Sequence, residues 1–167
     1  MKSKTSIHPS IKVADEVWIA TALLHREHPD RKDFTITEIV ERARREQITE
    51  ELRPGVQVHA SQHCVANRPP NPGRYRMLIA TGKTTRRLFR PGDPYDPKRE
   101  DAKTTPSPEE IPNRYRELLD WYRAEYVRGA GETPRRDPLS ALRGLGRELW
   151  EGEEADDYVR RLREGWD

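Results

Sequence analysis

One stretch of this 167-residue chain combines polar side chains with positive charge in a way that suits nucleic-acid binding. From Arg53 to Gly92 there are eight Lys and Arg residues and no Asp or Glu, whereas the whole chain has a net charge of only +2. Amide, hydroxyl and imidazole side chains can read base edges in the major groove, and basic side chains neutralise phosphates. The side chains of this carboxylate-free stretch that we expect to contact DNA are Gln57, His59, Ser61, Gln62, His63, Arg68, Arg74, Arg76, Lys83, Arg86 and Arg87. The alternative is a solvated basic surface on a domain that binds another protein.

Two helices are predicted before this stretch. An apolar stripe that begins at Val13 has the helical spacing, and Pro29 ends it. Thr35 followed three residues later by Glu38 is a capping box, so a second helix is expected to begin there and to run to about Gln47.

A third helix and a hairpin are predicted within the stretch itself. Residues 56–67 fit either a strand or a helix, and apolar residues spaced about four apart favour the helix. Two strand-like segments, 75–81 and 84–90, flank a Gly-Lys turn and so predict a hairpin. Helix, helix, helix and hairpin is the element order of a winged helix, and we expect a winged-helix-like nucleic-acid-binding domain over residues 1–100.

A further helix and a flexible linker are expected over residues 101–136. Residues 91–106 are rich in Pro and Gly and indicate a loop, and a Ser-Pro-Glu-Glu sequence at 107–110 then opens a helix. Its one apolar face can pack on the first domain or mediate self-association as a homodimer, and the sequence leaves both open. This face consists of Tyr115, Leu118, Leu119, Tyr122 and Tyr126. The predicted fold is therefore mainly α with a small β-hairpin, followed by an extended helical tail.

Catalytic and metal chemistry have weak support in the sequence. His59 and His63 are four apart on the predicted helix and precede Cys64, but no fourth zinc ligand is evident. Ser61 beside either histidine does not make a nucleophile pair by spacing alone, and no Gly-rich phosphate loop stands out. We therefore expect no catalytic residue, no metal site and no cofactor.

Cysteine usage and hydropathy bear on the compartment. A single cysteine excludes an intramolecular disulfide and fits a reducing cytosol. No apolar run approaches the roughly 20 residues that span a bilayer, and the N-terminus is not followed by a signal-peptide core. The expectation is a cytoplasmic protein with no membrane partner.

The last segment, residues 137–167, is predicted to bind a partner protein. It contains five Arg and nine acidic residues, a net charge of −4, among regularly spaced large apolar side chains. A segment below about 40 residues rarely folds without staples or a partner. The tail residues that we expect to contact the partner are Leu142, Arg143, Leu145, Arg147, Leu149, Trp150, Tyr158, Leu162 and Trp166.

The two sequences Asp137–Trp150 and Asp156–Trp166 together resemble the toxin-neutralising C-terminus of VapB-type antitoxins, whose partners are PIN-domain ribonucleases. The resemblance implies that this tail inhibits such a ribonuclease. A PIN active site gathers acidic side chains around Mg²⁺ or Mn²⁺, and an arginine inserted there can pair with those carboxylates. Arg143 and Arg147 are the candidates for that role, with Trp150 as the anchor in an apolar groove.

The resemblance covers the last 31 residues only. Antitoxins of this type commonly carry a small ribbon-helix-helix or AbrB-like DNA-binding module at the N-terminus, and here that part is longer and different. The implied function is that of a type II antitoxin that also binds promoter DNA and regulates its own transcription. The alternatives are a winged-helix transcription regulator whose tail is an oligomerisation arm, a reader of RNA or modified nucleic acid, and a tail that folds back onto Tyr115, Leu118 and Tyr122.

Overall fold

The computed structural model describes residues 11–129. This part of the chain is mainly helical, with one three-stranded antiparallel sheet. Two of the helices are composite: α3 ends in a π-helical turn, and α4 begins with a 3-10 turn and contains a π-helical turn in its second half. The elements are α1 (Val13–Glu27), β1 (Phe34–Thr35), α2 (Ile36–Glu46), α3 (Gly55–Val58 and His59–His63), β2 (Leu78–Ala80), β3 (Thr85–Leu88) and α4 (Asn113–Tyr115, Arg116–Trp121, Tyr122–Tyr126 and Val127–Gly129). No helix within residues 11–129 is long and apolar enough to cross a bilayer.

Helix α1 is the centre of the fold. Every residue from Ala14 to His25 is buried, as expected for a helix that is packed on all sides. The aromatic ring of Trp18 meets that of Tyr122 edge to face, with 5.7 Å between the ring centroids. Helix α1 therefore provides the surface on which the other helices assemble.

Helix α4 packs on the elements before it. All five members of its apolar face are buried. The Tyr126 hydroxyl donates a 3.0 Å hydrogen bond to the carbonyl of Leu88 at the end of β3, and the Tyr122 hydroxyl donates to the carbonyl of Phe89. Of the two possibilities that the sequence left open for this face, the structure shows packing on the first domain. The described residues through Arg128 form one compact unit.

The capping box predicted for α2 is confirmed. The Thr35 hydroxyl accepts a hydrogen bond from the Glu38 backbone N–H at 3.2 Å, and the Glu38 carboxylate accepts one from the Thr35 backbone N–H at 2.8 Å. Near the end of the helix, the buried Arg42 pairs with Glu27 of α1 and Glu46 of α2, each at 2.7 Å. These contacts fix the angle between α1 and α2.

The sheet has the strand order β1-β3-β2, with antiparallel pairing throughout. The outer edge of β2 is covered, since Val65 forms a parallel bridge with Leu78 and the Asn67 side-chain amide bonds both backbone groups of Ala80. The strands are shorter than the predicted segments 75–81 and 84–90. Their ladder stops early because the backbone N–H groups of Arg76 and Met77 bond the carbonyls of Lys103 and Cys64 instead.

Candidate nucleic-acid interface

Helix α3 has one buried side and one open side. Val56, Ala60 and the residue after the helix, Cys64, are fully buried at a spacing of four. On the opposite side Gln57 is exposed, Ser61 and Gln62 are half-exposed, and Val58 is 45% exposed. Val58 was not among the predicted DNA contacts, because an apolar residue in a helix is usually assigned to the core.

The C-terminal end of α3 is held by two buried arginines. The last four carbonyls of a helix have no partner within it, and a positive charge near them is favourable. Arg86 donates from Nε to the carbonyl of Ala60 at 3.1 Å and from Nη2 to that of Ser61 at 3.2 Å. Arg99 donates to the next two carbonyls, at 3.1 Å to Gln62 and 2.8 Å to His63. Together the two side chains satisfy all four carbonyls.

Arg99 also fastens α3 to the proline-rich loop that follows it. Its remaining hydrogen bonds go to the carbonyls of Arg68 and Tyr75, both at 2.7 Å, and to that of Pro69 at 3.3 Å. The five donors of the guanidinium thus meet five backbone carbonyls. The side chain is fully buried, and burial lowers its pKa. No periodicity or motif in the sequence marks Arg99, so sequence reasoning missed it.

The expectation that Arg86 neutralises DNA phosphates is wrong. Its side chain is fully buried, and it also donates to the carbonyls of Thr85 at 2.7 Å and Gly82 at 3.2 Å. Burial, with a smaller contribution from the positive charge of Arg68, lowers the pKa of Arg86 to about 10. The guanidinium ties the hairpin to α3 and cannot reach a phosphate outside the protein.

Two arginines of residues 53–92 form ion pairs with carboxylates that lie outside this stretch of the sequence. Arg87 forms a two-point ion pair with Asp93, with both distances at 2.7 Å. Burial alone would raise the pKa of Asp93, but hydrogen bonds from Arg87 and the Arg90 backbone hold that pKa below its usual value. Arg53 likewise pairs at 2.6 Å with Glu16, a buried residue of α1. The charge of Arg87 is therefore balanced within the protein, which corrects its assignment as a phosphate contact.

The two histidines of α3 lie beside the following loop and are half-exposed, so their assignment as DNA contacts stays a prediction. His59 Nδ1 donates to the carbonyl of Gly55 at 2.9 Å, and burial is the main cause of its lowered pKa. The rings of His59 and His63 lie edge to face, with centroids 4.8 Å apart. A Cβ atom on Gly73 would lie 2.8 Å from His63 Cβ, so only glycine allows the loop to pack this closely.

Three basic side chains of residues 53–92 form no ion pair, hydrogen bond or cation–π contact with residues 11–129: Arg68, Arg74 and Lys83. Arg74 and Lys83 are exposed, and Arg68 is half-exposed. Arg74 follows Gly73, which lies against His63 of α3. Lys83 follows Gly82, whose carbonyl accepts a hydrogen bond from Arg86 of β3. The guanidinium of Arg76 instead lies 4.3 Å from the ring centroid of Tyr95.

These observations define a smaller site than the sequence predicted. We call it the α3–hairpin face, and it consists of Gln57, Val58, Ser61, Gln62, Arg68, Arg74 and Lys83. Its arrangement places neutral polar groups on the helix and cations on the two loops beside it. The polar groups of the helix suit hydrogen bonding to base edges, and the cations of the loops suit contact with phosphates.

The described part of the chain shows no candidate metal site. Residues 11–129 contain no group of three or more His, Cys, Asp or Glu side chains placed to hold a metal ion. Cys64 is fully buried, and burial raises the pKa of its thiol.

The tail residues expected to contact a ribonuclease, from Leu142 to Trp166, lie outside the described residues.

Comparisons with protein-family models, with curated proteins and with solved structures found no match.

Proposed function

We propose that this chain is the antitoxin of a type II toxin–antitoxin pair. Its winged-helix-like N-terminal domain binds duplex DNA at its own promoter, and its C-terminal tail inhibits a PIN-domain ribonuclease. Inhibition is occlusion of the nuclease and involves no catalysis by this chain. The observation that carries the DNA-binding half is the open polar side of α3 beside two loops that present unpaired cations.

The winged-helix proposal rests on element order and on strand order. The described chain runs α1, β1, α2, α3, β2, β3, and its hairpin follows the third helix directly. The sheet has the order β1-β3-β2, and Arg86 joins its hairpin to α3 by bonding the carbonyls of Ala60 and Gly82. In this proposal α3 enters the major groove, while Arg74 and Lys83 contact phosphates on either side.

The ribonuclease half rests on the tail sequence and on one structural observation. The alternative in which the tail folds back requires an available apolar face around Tyr115, Leu118 and Tyr122. All three side chains are buried within the described residues, where Tyr122 packs on Trp18. This burial disfavours the fold-back alternative, and the resemblance to VapB-type antitoxins supports a partner protein as the surface that the tail contacts.

The nuclease assignment is tested with variants of the full chain in an RNA-cleavage assay. The nuclease to use is the product of the neighbouring reading frame, which this proposal predicts to be a PIN-domain protein. The double variant Arg147→Ala, Trp150→Ala should release cleavage, because it removes both the cation that meets the metal-holding acids and the apolar anchor. Arg163→Ala, in the same tail but outside the proposed contact set, is the matched control and should inhibit fully. Full inhibition by the double variant would refute the assignment.

A further inference from the structure

The open side of α3 carries two amides, one hydroxyl and one apolar side chain, and the helix contains no Lys or Arg. The side-chain amides of Gln57 and Gln62 form no hydrogen bond with residues 11–129, so their donors and acceptors are available to a ligand. The Ser61 hydroxyl donates to the carbonyl of Val58 at 3.2 Å, which leaves its oxygen free to accept. This side of the helix is chemically distinct from the cationic loops beside it.

We propose that this side of α3 reads A·T base pairs in the major groove of duplex DNA, an inference that rests on the proposed DNA-binding function. A glutamine amide can bond adenine N6 and N7 together, which suits Gln57 and Gln62. An apolar side chain contacts the thymine methyl group, which suits the exposed Val58. The combination of these groups on one side of the helix specifies adenine and thymine together.

Guanine is disfavoured by the same geometry. The commonest specific contact to guanine is a two-point hydrogen bond from Arg or Lys to O6 and N7. Arg86 and Arg99 both contact α3, but backbone carbonyls occupy their guanidinium groups, and Asp93 occupies that of Arg87. The free cations, Arg68, Arg74 and Lys83, lie on the loops and not on the helix. No arginine or lysine is therefore presented from α3 to a guanine edge.

The rigidity of α3 supports this assignment. Its C-terminal carbonyls are fixed by Arg86 and Arg99, and its opposite side is buried against the core. Side chains on a helix held at both its end and its back project in fixed directions. Fixed directions are what two-point hydrogen bonding to a base requires.

The experiment uses the full chain and a pool of DNA duplexes with a randomised centre. Duplexes retained by the protein are sequenced, and the enriched site is labelled for fluorescence anisotropy. Adjacent A·T pairs should dominate the enriched site. Replacing thymine by uracil, which removes only the methyl group, should weaken binding about fourfold for the wild type. The same replacement should have a smaller effect on Val58→Ala, whose side chain retains a single methyl group.

The amides are tested with 7-deazaadenine, which lacks the N7 acceptor. Gln57→Ala and Gln62→Ala should each weaken binding to the enriched site by about 5- to 150-fold, while binding to a random duplex is retained. The duplex with 7-deazaadenine should bind the wild type more weakly than the unmodified duplex does. It should bind at least one of these variants as tightly as the unmodified duplex does. Lys83→Ala is the matched control and should weaken binding to both duplexes equally, because a phosphate contact carries no base preference.

Two results would overturn the inference. An enriched site centred on G·C pairs, or wild-type binding that is indifferent to both base analogues, would refute A·T readout while leaving DNA binding intact. Failure to retain any duplex would refute the proposed DNA-binding function and this inference with it.

Discussion

Replacing Arg99 by methionine should destabilise the whole domain, although the sequence around Arg99 predicts an exposed loop. The substitution keeps an unbranched side chain of similar length but removes five donors from the interior. Two of the five carbonyls retain another partner, because Gln62 also accepts from the Val65 N–H and His63 from the Tyr75 N–H. The carbonyls of Arg68, Pro69 and Tyr75 would be left without one.

The expected loss follows from those three carbonyls. A buried polar group without a partner costs about 1–3 kcal/mol. The low end applies here, because the loop can move to admit water and because removing a buried charge recovers part of its desolvation cost. The expected loss of unfolding free energy is about 3 kcal/mol. For a domain of this size, each kcal/mol lowers the melting temperature by roughly 4 °C, so the expected decrease is about 12 °C.

Thermal unfolding followed by circular dichroism measures this effect. Lys98→Met is the matched control, since Lys98 is the exposed neighbour and its loss should change stability by less than about 0.5 kcal/mol. Arg99→Lys should fall between the two, because an ammonium keeps the charge but has only three donors. Melting of Arg99→Met within about 2 °C of Lys98→Met would refute the role given to the five hydrogen bonds.

Three further predictions concern buried charge and assembly. Burial, followed by the charges of Arg90 and Arg87, lowers the pKa of His25 from 6.5 to about 3. The unfolded chain therefore takes up this proton before the folded one does, and stability should fall by about 1.4 kcal/mol per pH unit below 6.5. Urea unfolding of His25→Gln should show a flatter pH profile, and an unchanged profile would contradict this cause. Asp15 is fully buried without a hydrogen-bond partner within residues 11–129, and burial raises its pKa from 3.8 to about 6. Its ionisation then opposes folding as the pH rises through that range. Asp15→Asn should therefore be more stable than the wild type by about 3 kcal/mol at pH 7 and equally stable near pH 3. Equal stability at pH 7 would count against this cause. Finally, sedimentation velocity should give the same mass for the wild type and Trp150→Ala, whereas a smaller mass for the variant would favour the tail as an oligomerisation arm.

Local patterns in the sequence were sufficient for the helices. The apolar stripe from Val13 and the capping box at Thr35 each depend on residues within a few positions of one another, and both were predicted correctly. The apolar face of α4 was also predicted, but its packing partner was not, because Trp18 lies about a hundred residues away in sequence. The start of α4 was placed too early, at residue 107, since the prolines there belong to the preceding loop.

The roles of the arginines could not be read from the sequence. An arginine in a basic stretch looks the same whether it faces solvent, as Arg74 does, or is buried against carbonyls, as Arg86 is. The difference depends on which backbone groups and carboxylates the fold brings near. Glu16 lies 37 positions before its partner Arg53, so counting charge along the chain overstated the positive surface.

The most direct test of the α3–hairpin face is the salt dependence of duplex binding by the full chain. The logarithm of the binding constant falls with the logarithm of salt concentration by about 0.9 for each phosphate contact. The double variant Arg74→Ala, Lys83→Ala should therefore reduce the slope by about 1.8, while Arg123→Ala, an exposed residue of α4, should leave it unchanged. Equal slopes for the double variant and the wild type would contradict the proposal that these two loops hold the DNA backbone.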